Sequence, residues 1–258
     1  MRPLPEIDTP RGVRRREWKY RVSPDVAAEL MEALGPHTGP DPYCVPGLDG
    51  AYPVQSLYYD TPDLRFYHER KDGVKVRRKL RVRHYGDEVC FLEIKRKVDK
   101  KVLKERVAFH RSEVAVALNG TDSQTLMTGR TEDERRTLER FRFNLRSLGL
   151  IPTALIAYRR HALVGRLTPR LRITVDSNLR CQASPGPEAL FEDAELPPFE
   201  ERCVLELKFD GRAPHWLMRL ISGFQLRRES YSKYCEGIDG TAGAAALAAV
   251  GRNGGSAS

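Results

Sequence analysis

The segment VKVRRKLRVR, Val74 to Arg83, sets Lys75, Arg77, Lys79, Arg81 and Arg83 at every second position. Val74, Val76, Arg78, Leu80 and Val82 fill the positions between them. Side chains alternate faces along a strand, so an extended backbone here puts five cations on one face and a mostly apolar set on the other. Like charges at this spacing repel each other. An ordinary solvated face would intersperse acids to relieve that repulsion, so a polyanion lying along the strand is the chemistry this pattern suits. Guanidinium forks bind phosphate oxygens in bidentate fashion, and ammonium groups act as mobile point charges.

The same grammar recurs along the chain. Glu93, Lys95 and Lys97 share one face, with Leu92 and Ile94 opposite. Arg170, Arg172, Thr174 and Asp176 share a face against Leu171, Ile173 and Val175, and Glu206 with Lys208 against Leu205 and Leu207. Glu17 and Lys19 follow the same spacing. One such strand is well explained by a sheet with one wet face; five with cations in excess point to a shared anionic ligand. The interspersed carboxylates fit a divalent ion, Mg2+ or Mn2+, that bridges them to phosphate oxygens. Glu206 is the first candidate ligand, with Glu17 and Glu93 ranked behind it; the competing reading makes all three ion-pair partners of the neighbouring cations.

Bulk properties agree. The chain has 258 residues and a formal charge of +9, with 31% charged residues. Arg65 to Arg106 holds sixteen Lys/Arg against seven Asp/Glu, and the remainder is balanced. Basicity is therefore local, a device and not a general surface property. Five scattered cysteines (Cys44, Cys90, Cys181, Cys203, Cys235) with no CxxC spacing argue against a disulfide framework or structural zinc and for a reduced, cytoplasmic setting. No signal peptide is visible, and the small apolar run GAAALAAVG is far short of the ~20 residues a bilayer span needs. Phosphate-binding glycine loops of the GxxxxGK[ST] or GxGxxG type are absent, the six histidines lack ligand spacing, and Ser232 has no base-and-orienter set.

These residues need elements to position them. Residues 1–13 read as a flexible leader, 14–238 as one domain and 239–258, rich in Gly, Ala and Ser, as a disordered tail. Strands are expected at Trp18–Val22, over YPVQSLYYD (52–60), in the basic segment, and at Val89–Arg96, Ile156–His161, Leu171–Asp176 and Arg202–Phe209. Ser23 and Pro24 begin a helix over 24–34. Residues 35–51, rich in Pro and Gly, read as loop. Helices at 131–148 and 214–224 follow from apolar residues at helical spacing. Cys90–Lys95 (CFLEIK) is echoed by Cys203–Lys208 (CVLELK), which suggests two related halves. The fold class is α+β: a closed antiparallel β-barrel with its charged face inward and the helices packed outside.

The stretches REWKY (16–20), SLYYDTPDLRFYHERKDG (56–73), KLRVRHY (79–85), FLEIKRK (91–97), LKERVAF (103–109), YRRHAL (158–163), LRITVDSNL (171–179), VLELKFD (204–210) and SKYCEG (232–237) resemble, in order, the VTC domain. This is the polyphosphate polymerase branch of the triphosphate tunnel metalloenzymes. The resemblance implies a closed tunnel barrel and transfer of the γ-phosphate of ATP to a growing polyphosphate chain, with a divalent metal. By position it assigns Lys19, Arg81, Arg83, Lys95, Lys104, Arg160, Arg172 and Lys233 to triphosphate and polyphosphate. Catalysis falls to Arg81, Arg83, Lys208 and Lys233, and the metal to Glu206. Strand alternation supports Arg81, Arg83 and Lys95 independently, whereas Lys104, Arg160 and Lys233 rest on the resemblance. The superfamily's opening E-x-E-x-K strand is thinned to Glu17-x-Lys19, with Arg15 at the first acid, which favours a polymerase over a two-metal hydrolase. The rival readings are a tunnel triphosphatase and a non-catalytic polyanion-binding module. RNA fits less well, because acids interrupt the basic strands and no aromatic sits among the five cations.

Overall fold

The computed structural model describes residues 15–41, 50–86, 88–99, 101–120, 126–192 and 195–241. The expected leader, Cys44 and the tail from 242 onward lie outside the described residues. In chain order the elements are β1 (Arg15–Val22), α1 (Pro24–Leu34), β2 (Thr38–Pro40), β3 (Ala51–Asp60), α2 (Arg65–Lys71), β4 (Val76–His84), β5 (Val89–Val98) and β6 (Lys101–His110). They continue as α3 (Val114–Asn119), α4 (Glu132–Ser147), β7 (Ile151–Gly165), β8 (Arg172–Ala183), β9 (Pro198–Glu200), β10 (Cys203–Asp210), α5 (His215–Gly223) and α6 (Lys233–Gly240). Thr38–Pro40 forms a short strand on β7 where a loop was expected, because Thr38, Gly39 and Pro40 carry no period of their own.

The strands hydrogen-bond in the order β1-β10-β8-β7-β3-β4-β5-β6, with β2 on β7 and β9 on β8. The pairings that can be read residue by residue are antiparallel. This corrects the expectation of a closed barrel: the path ends at β1 and at β6, so the hydrogen-bonded sheet is open among the described residues. Alternation looks the same in an open and a closed sheet, because closure depends on strand tilt and stagger, which no single strand encodes. The edge strand β6 opens with exposed Lys101, Val102, Leu103 and Lys104, and its charges discourage edge-to-edge pairing.

The described residues group into two compact units. The first comprises the chain up to Pro53 with Tyr158–Leu179 and Glu200–Ser232. Its core is the apolar face of β1, β10 and β8: Tyr20, Val22, Leu205, Leu207, Phe209, Leu171, Ile173 and Val175. Ala27, Leu30 and Leu34 of α1 and Leu217 and Ile221 of α5 pack in the same cluster, as their helical spacing dictates. Helix α1 is launched by Ser23, whose Oγ accepts from the Val26 N–H at 3.3 Å, with Pro24 at the first helical position.

The second unit comprises Val54–Ala157, Arg180–Phe199 and the chain from Lys233. Its core gathers Leu57 and Tyr59 of β3, Leu80 and Val82 of β4, Leu92 and Ile94 of β5, and Val107 and Phe109 of β6. Leu138 and Phe141 of α4 join that cluster. Arg78, the one cation on the apolar face of β4, donates to Asn144 Oδ1 of α4 at 3.1 Å. Val74 and Val76 are exposed, so the apolar face of β4 is covered only from Leu80 on. Among the described residues no helix is long and apolar enough to cross a membrane.

Candidate functional site

In the second unit, strand register stacks the charged residues of β4, β5 and β6 into rows. Lys79 lies opposite Lys95, and Lys95 opposite Lys104. Arg81 lies opposite Glu93, and Glu93 opposite Arg106. On the other side of β4, Tyr58 faces Arg81 and Ser56 faces Arg83. Directly opposed residues bring their Cβ atoms to about 5 Å, so three lysines abreast repel one another, and a bound anion relieves that repulsion.

Glu93 is the counter-charge. Its Oε2 takes Arg81 Nε at 2.6 Å, with Arg81 Nη2 at 2.5 Å, and its Oε1 lies 3.3 Å from Lys104 Nζ. Arg83 Nη1 is more distant, at 3.9 Å, and Arg83 Nε donates to Ser56 Oγ at 3.0 Å. Glu93 is 2% exposed. Burial alone would push its carboxyl up, but Arg81, Arg83 and Lys104 outweigh burial and hold it well below the usual carboxylate range. Arg81 Nη1 also donates to the Tyr58 hydroxyl at 2.9 Å. Burial raises that phenol, yet Arg81, Arg83 and Lys79 together bring it down to about 7. The field here is strongly positive. It suits phosphate oxygens and opposes a metal ion at Glu93.

Asp60, the last residue of β3, holds the frame of this unit. Its Oδ1 accepts from the Thr61 and Phe66 N–H groups at 2.8 Å, and its Oδ2 from the Tyr67 N–H at 3.0 Å. Tyr234 of α6 donates its hydroxyl to the same Oδ2 at 2.6 Å. A strand carboxylate thus starts α2 and anchors α6, whose first residue is the half-buried Lys233. Burial pushes the Asp60 carboxyl up, against the pull of these hydrogen bonds.

The charged face of the first unit is built the same way. Glu17 lies opposite Lys208 and Lys19 opposite Glu206 across β1 and β10. Glu206 lies opposite Thr174 and Lys208 opposite Arg172 across β10 and β8. Lys208 Nζ sits 2.7 Å from Glu206 Oε1, and Lys19 Nζ 3.2 Å from Glu17 Oε1. Arg172 Nη2 pairs with Asp41 at 2.8 Å. Arg160 forks onto Asp176, Nε to Oδ1 at 2.6 Å and Nη2 to Oδ2 at 2.8 Å. Burial opposes the charge on Arg160, but Asp176 prevails and raises its pKa well above the ordinary value. The echoed segments thus place one buried glutamate, Glu93 or Glu206, among the cations of each unit.

A metal's fit can be judged on the residues around Glu206. Its carboxylate is 7% exposed, and the Thr174 hydroxyl across the ladder is buried with no hydrogen-bond partner. One carboxylate and an unsatisfied hydroxyl, completed by water and phosphate oxygens, is how Mg2+ or Mn2+ is commonly held. Among the described residues no three His, Cys, Asp or Glu side chains cluster to hold an ion unaided. The donor set fits an ion shared with a phosphate ligand. Cys90, Cys181, Cys203 and Cys235 are buried free thiols, and burial pushes Cys181 up to about 12.

Strand alternation located most of these side chains. It did not single out Tyr58, Ser56, Asp41 or Arg106, because each meets its charged partner only through contacts between segments distant in sequence.

The strand register thus builds cation-lined faces on an antiparallel α+β scaffold, with Glu93 buried in the second unit and Glu206 and Asp176 buried in the first. The chain matches the family model of the VTC domain over residues 14–241 and belongs to that family. Among solved structures it is similar to HpAC1 from Hippeastrum, described as having a dominant triphosphatase activity, at 17% identity. That match covers 87% of this chain and 95% of the other, with a TM-score of 0.46. It is also similar to PH1819 from Pyrococcus horikoshii OT3, at 12% identity over 86% of this chain and 97% of that one, with a TM-score of 0.44. Comparison with curated proteins found no match.

Proposed function

We propose that the protein is an ATP-dependent polyphosphate polymerase that uses a divalent metal, Mn2+ or Mg2+. A terminal oxygen of the acceptor phosphate attacks the γ-phosphorus of ATP. The bond from that phosphorus to the β–γ bridging oxygen breaks, and ADP leaves with the bond's electrons. Such a transfer needs positioning and charge neutralisation more than covalent help from the protein. Arg81 and Arg83 present guanidinium groups to phosphate oxygens, and Lys95 and Lys104 supply point charges beside them. Lys19, Arg172, Arg160 and Lys233 are the further phosphate-binding cations, with Lys208 and Lys233 serving the reacting phosphates. Glu206, with Thr174 beside it, would hold the metal, which would supply charge neutralisation at phosphate oxygens.

The observation that carries this reading is the family match over residues 14–241. It is tested by incubating the protein with ATP and Mn2+ and separating the products on a gel. Long chains that stain as polyphosphate support it. Free phosphate alone would make the protein a triphosphatase, and tight tripolyphosphate binding without turnover a non-catalytic binder. Glu206→Ala is expected to lower turnover by about a hundredfold or more while changing tripolyphosphate affinity by less than about threefold. Normal polymerisation by that variant would remove Glu206 from the metal site.

A further inference from the structure

Tyr58 stands apart from the cations that alternation picks out, and its hydrogen bonding is one-sided. It is buried at 6% exposure, and its oxygen accepts from Arg81 Nη1 at 2.9 Å. Its own O–H proton meets no acceptor among the described residues, although buried hydroxyls as a rule satisfy both roles. The ring is fixed on both sides. It stacks on Tyr234 with centroids 5.1 Å apart, and the Arg81 guanidinium lies 5.6 Å over its face. The charged groups that face it come from three strands. Lys79, Arg81 and Arg83 come from β4, Glu93 from β5 and Lys104, bound to Glu93, from β6. The hydroxyl of Tyr234 on α6 is committed to Asp60. An unspent donor in a cationic row is completed by an anionic oxygen.

We propose that Tyr58 is a phosphate-binding residue: its hydroxyl donates to a phosphate oxygen held by Arg81, so that binding requires the neutral phenol and takes up a proton when the phenol was ionised. This rests on the phosphate-binding reading above and adds to it a donor and a pH response. In the unliganded protein Arg81, Arg83 and Lys79 draw the phenol down to about 7 against the effect of burial. A bound phosphate cancels that positive field and restores the proton. Affinity therefore falls as pH rises through the unliganded phenol's range.

The test is calorimetric binding of inorganic tripolyphosphate to the full chain and to Tyr58→Phe between pH 6 and pH 9, in two buffers of different ionisation enthalpy. The titration of tripolyphosphate itself cancels in the ratio of the two affinities. At pH 6 the wild type should bind roughly tenfold more tightly than Tyr58→Phe, as expected for a hydrogen bond to a charged acceptor. With the unliganded phenol at about 7, that advantage should be gone by roughly pH 8 and reversed by pH 9. Proton uptake on binding should appear in the wild type above pH 7 and be absent from the variant. A phenolate absorbance step near pH 7 that tripolyphosphate suppresses, and that Tyr58→Phe lacks, gives a readout independent of affinity. An affinity ratio that stays constant with pH, with no phenolate step, overturns the proposal. A wild type that binds no tripolyphosphate at any pH overturns instead the phosphate-binding reading on which it rests.

Discussion

Glu93 and Asp176 show how the same group, a buried carboxylate, serves opposite ends. Asp176 is fully buried, and Nε and Nη2 of Arg160 both close on it, so one carboxylate there meets one guanidinium. Glu93 instead faces Arg81, Arg83 and Lys104 at once, and one carboxylate leaves a surplus of positive charge beside it. Its charge is needed to keep that cluster from flying apart. Replacing it by the amide of the same shape, Glu93→Gln, leaves buried cations uncompensated and should lower unfolding free energy by about 3 kcal/mol at pH 7. The sign with pH follows from the lowered carboxyl. Its contribution is complete above the ordinary carboxylate range of roughly 4 to 4.5 and fades as pH falls through the depressed value. Urea unfolding should therefore show the wild type and Glu93→Gln converging in acid and parallel from neutral pH upward. A gap that widens in acid would contradict this account of the cluster.

At the scale of elements, helix α4 is legible in advance from its apolar spacing, and the structure adds a capping box at its start. Thr131 Oγ1 accepts from the Glu134 N–H at 3.3 Å, and Glu134 Oε2 accepts from the Thr131 N–H at 2.9 Å. Leu138 and Phe141 follow on the buried side. Thr131→Ala should cost about 1 kcal/mol in a urea melt without changing the slope of the transition. A loss below a few tenths would mean that packing alone holds the helix. Strand β6 and helix α2 were not legible by pattern. In β6 the apolar Val102 and Leu103 are neighbours and both are exposed, so neither face reads as apolar until Val107 and Phe109. Helix α2 is seven residues long with a left-handed Leu64 at its cap position, and its starting acceptor is Asp60, at the end of the preceding strand. Cap signals are read within a few residues of a helix, and this one sits outside that window.

At the scale of the whole molecule, the excess charge of +9 resides between Arg65 and Arg106, within the second unit, while the rest of the chain is balanced. Binding of a phosphate chain should accordingly be strong at low salt and fade as counterions screen that patch. Tripolyphosphate at about a hundred times its dissociation constant should add roughly 2.7 kcal/mol to unfolding free energy. At fixed ligand concentration, most of that gain should be lost between about 0.05 and 0.5 M salt, where the Debye length drops below roughly 5 Å. Thermal melts with and without tripolyphosphate across that salt range measure it. A gain that does not change with salt would place the binding energy elsewhere than in the cationic rows.

The sequence by itself determined which residues share a face. Arg81, Arg83, Lys95, Glu206 and Lys208 could be placed because alternation is a property of one extended strand and needs no knowledge of its neighbours. Only the tertiary structure decided what stands beside what. Lys79, Lys95 and Lys104 form a row, Tyr58 meets Arg81, Arg160 closes on Asp176, and among the described residues the ladder ends at β1 and β6 without joining. Those outcomes depend on the register between segments that can lie far apart in the chain, as Glu17 and Lys208 do. Register is set by the packing of all the strands and helices together, not by the period of any one of them.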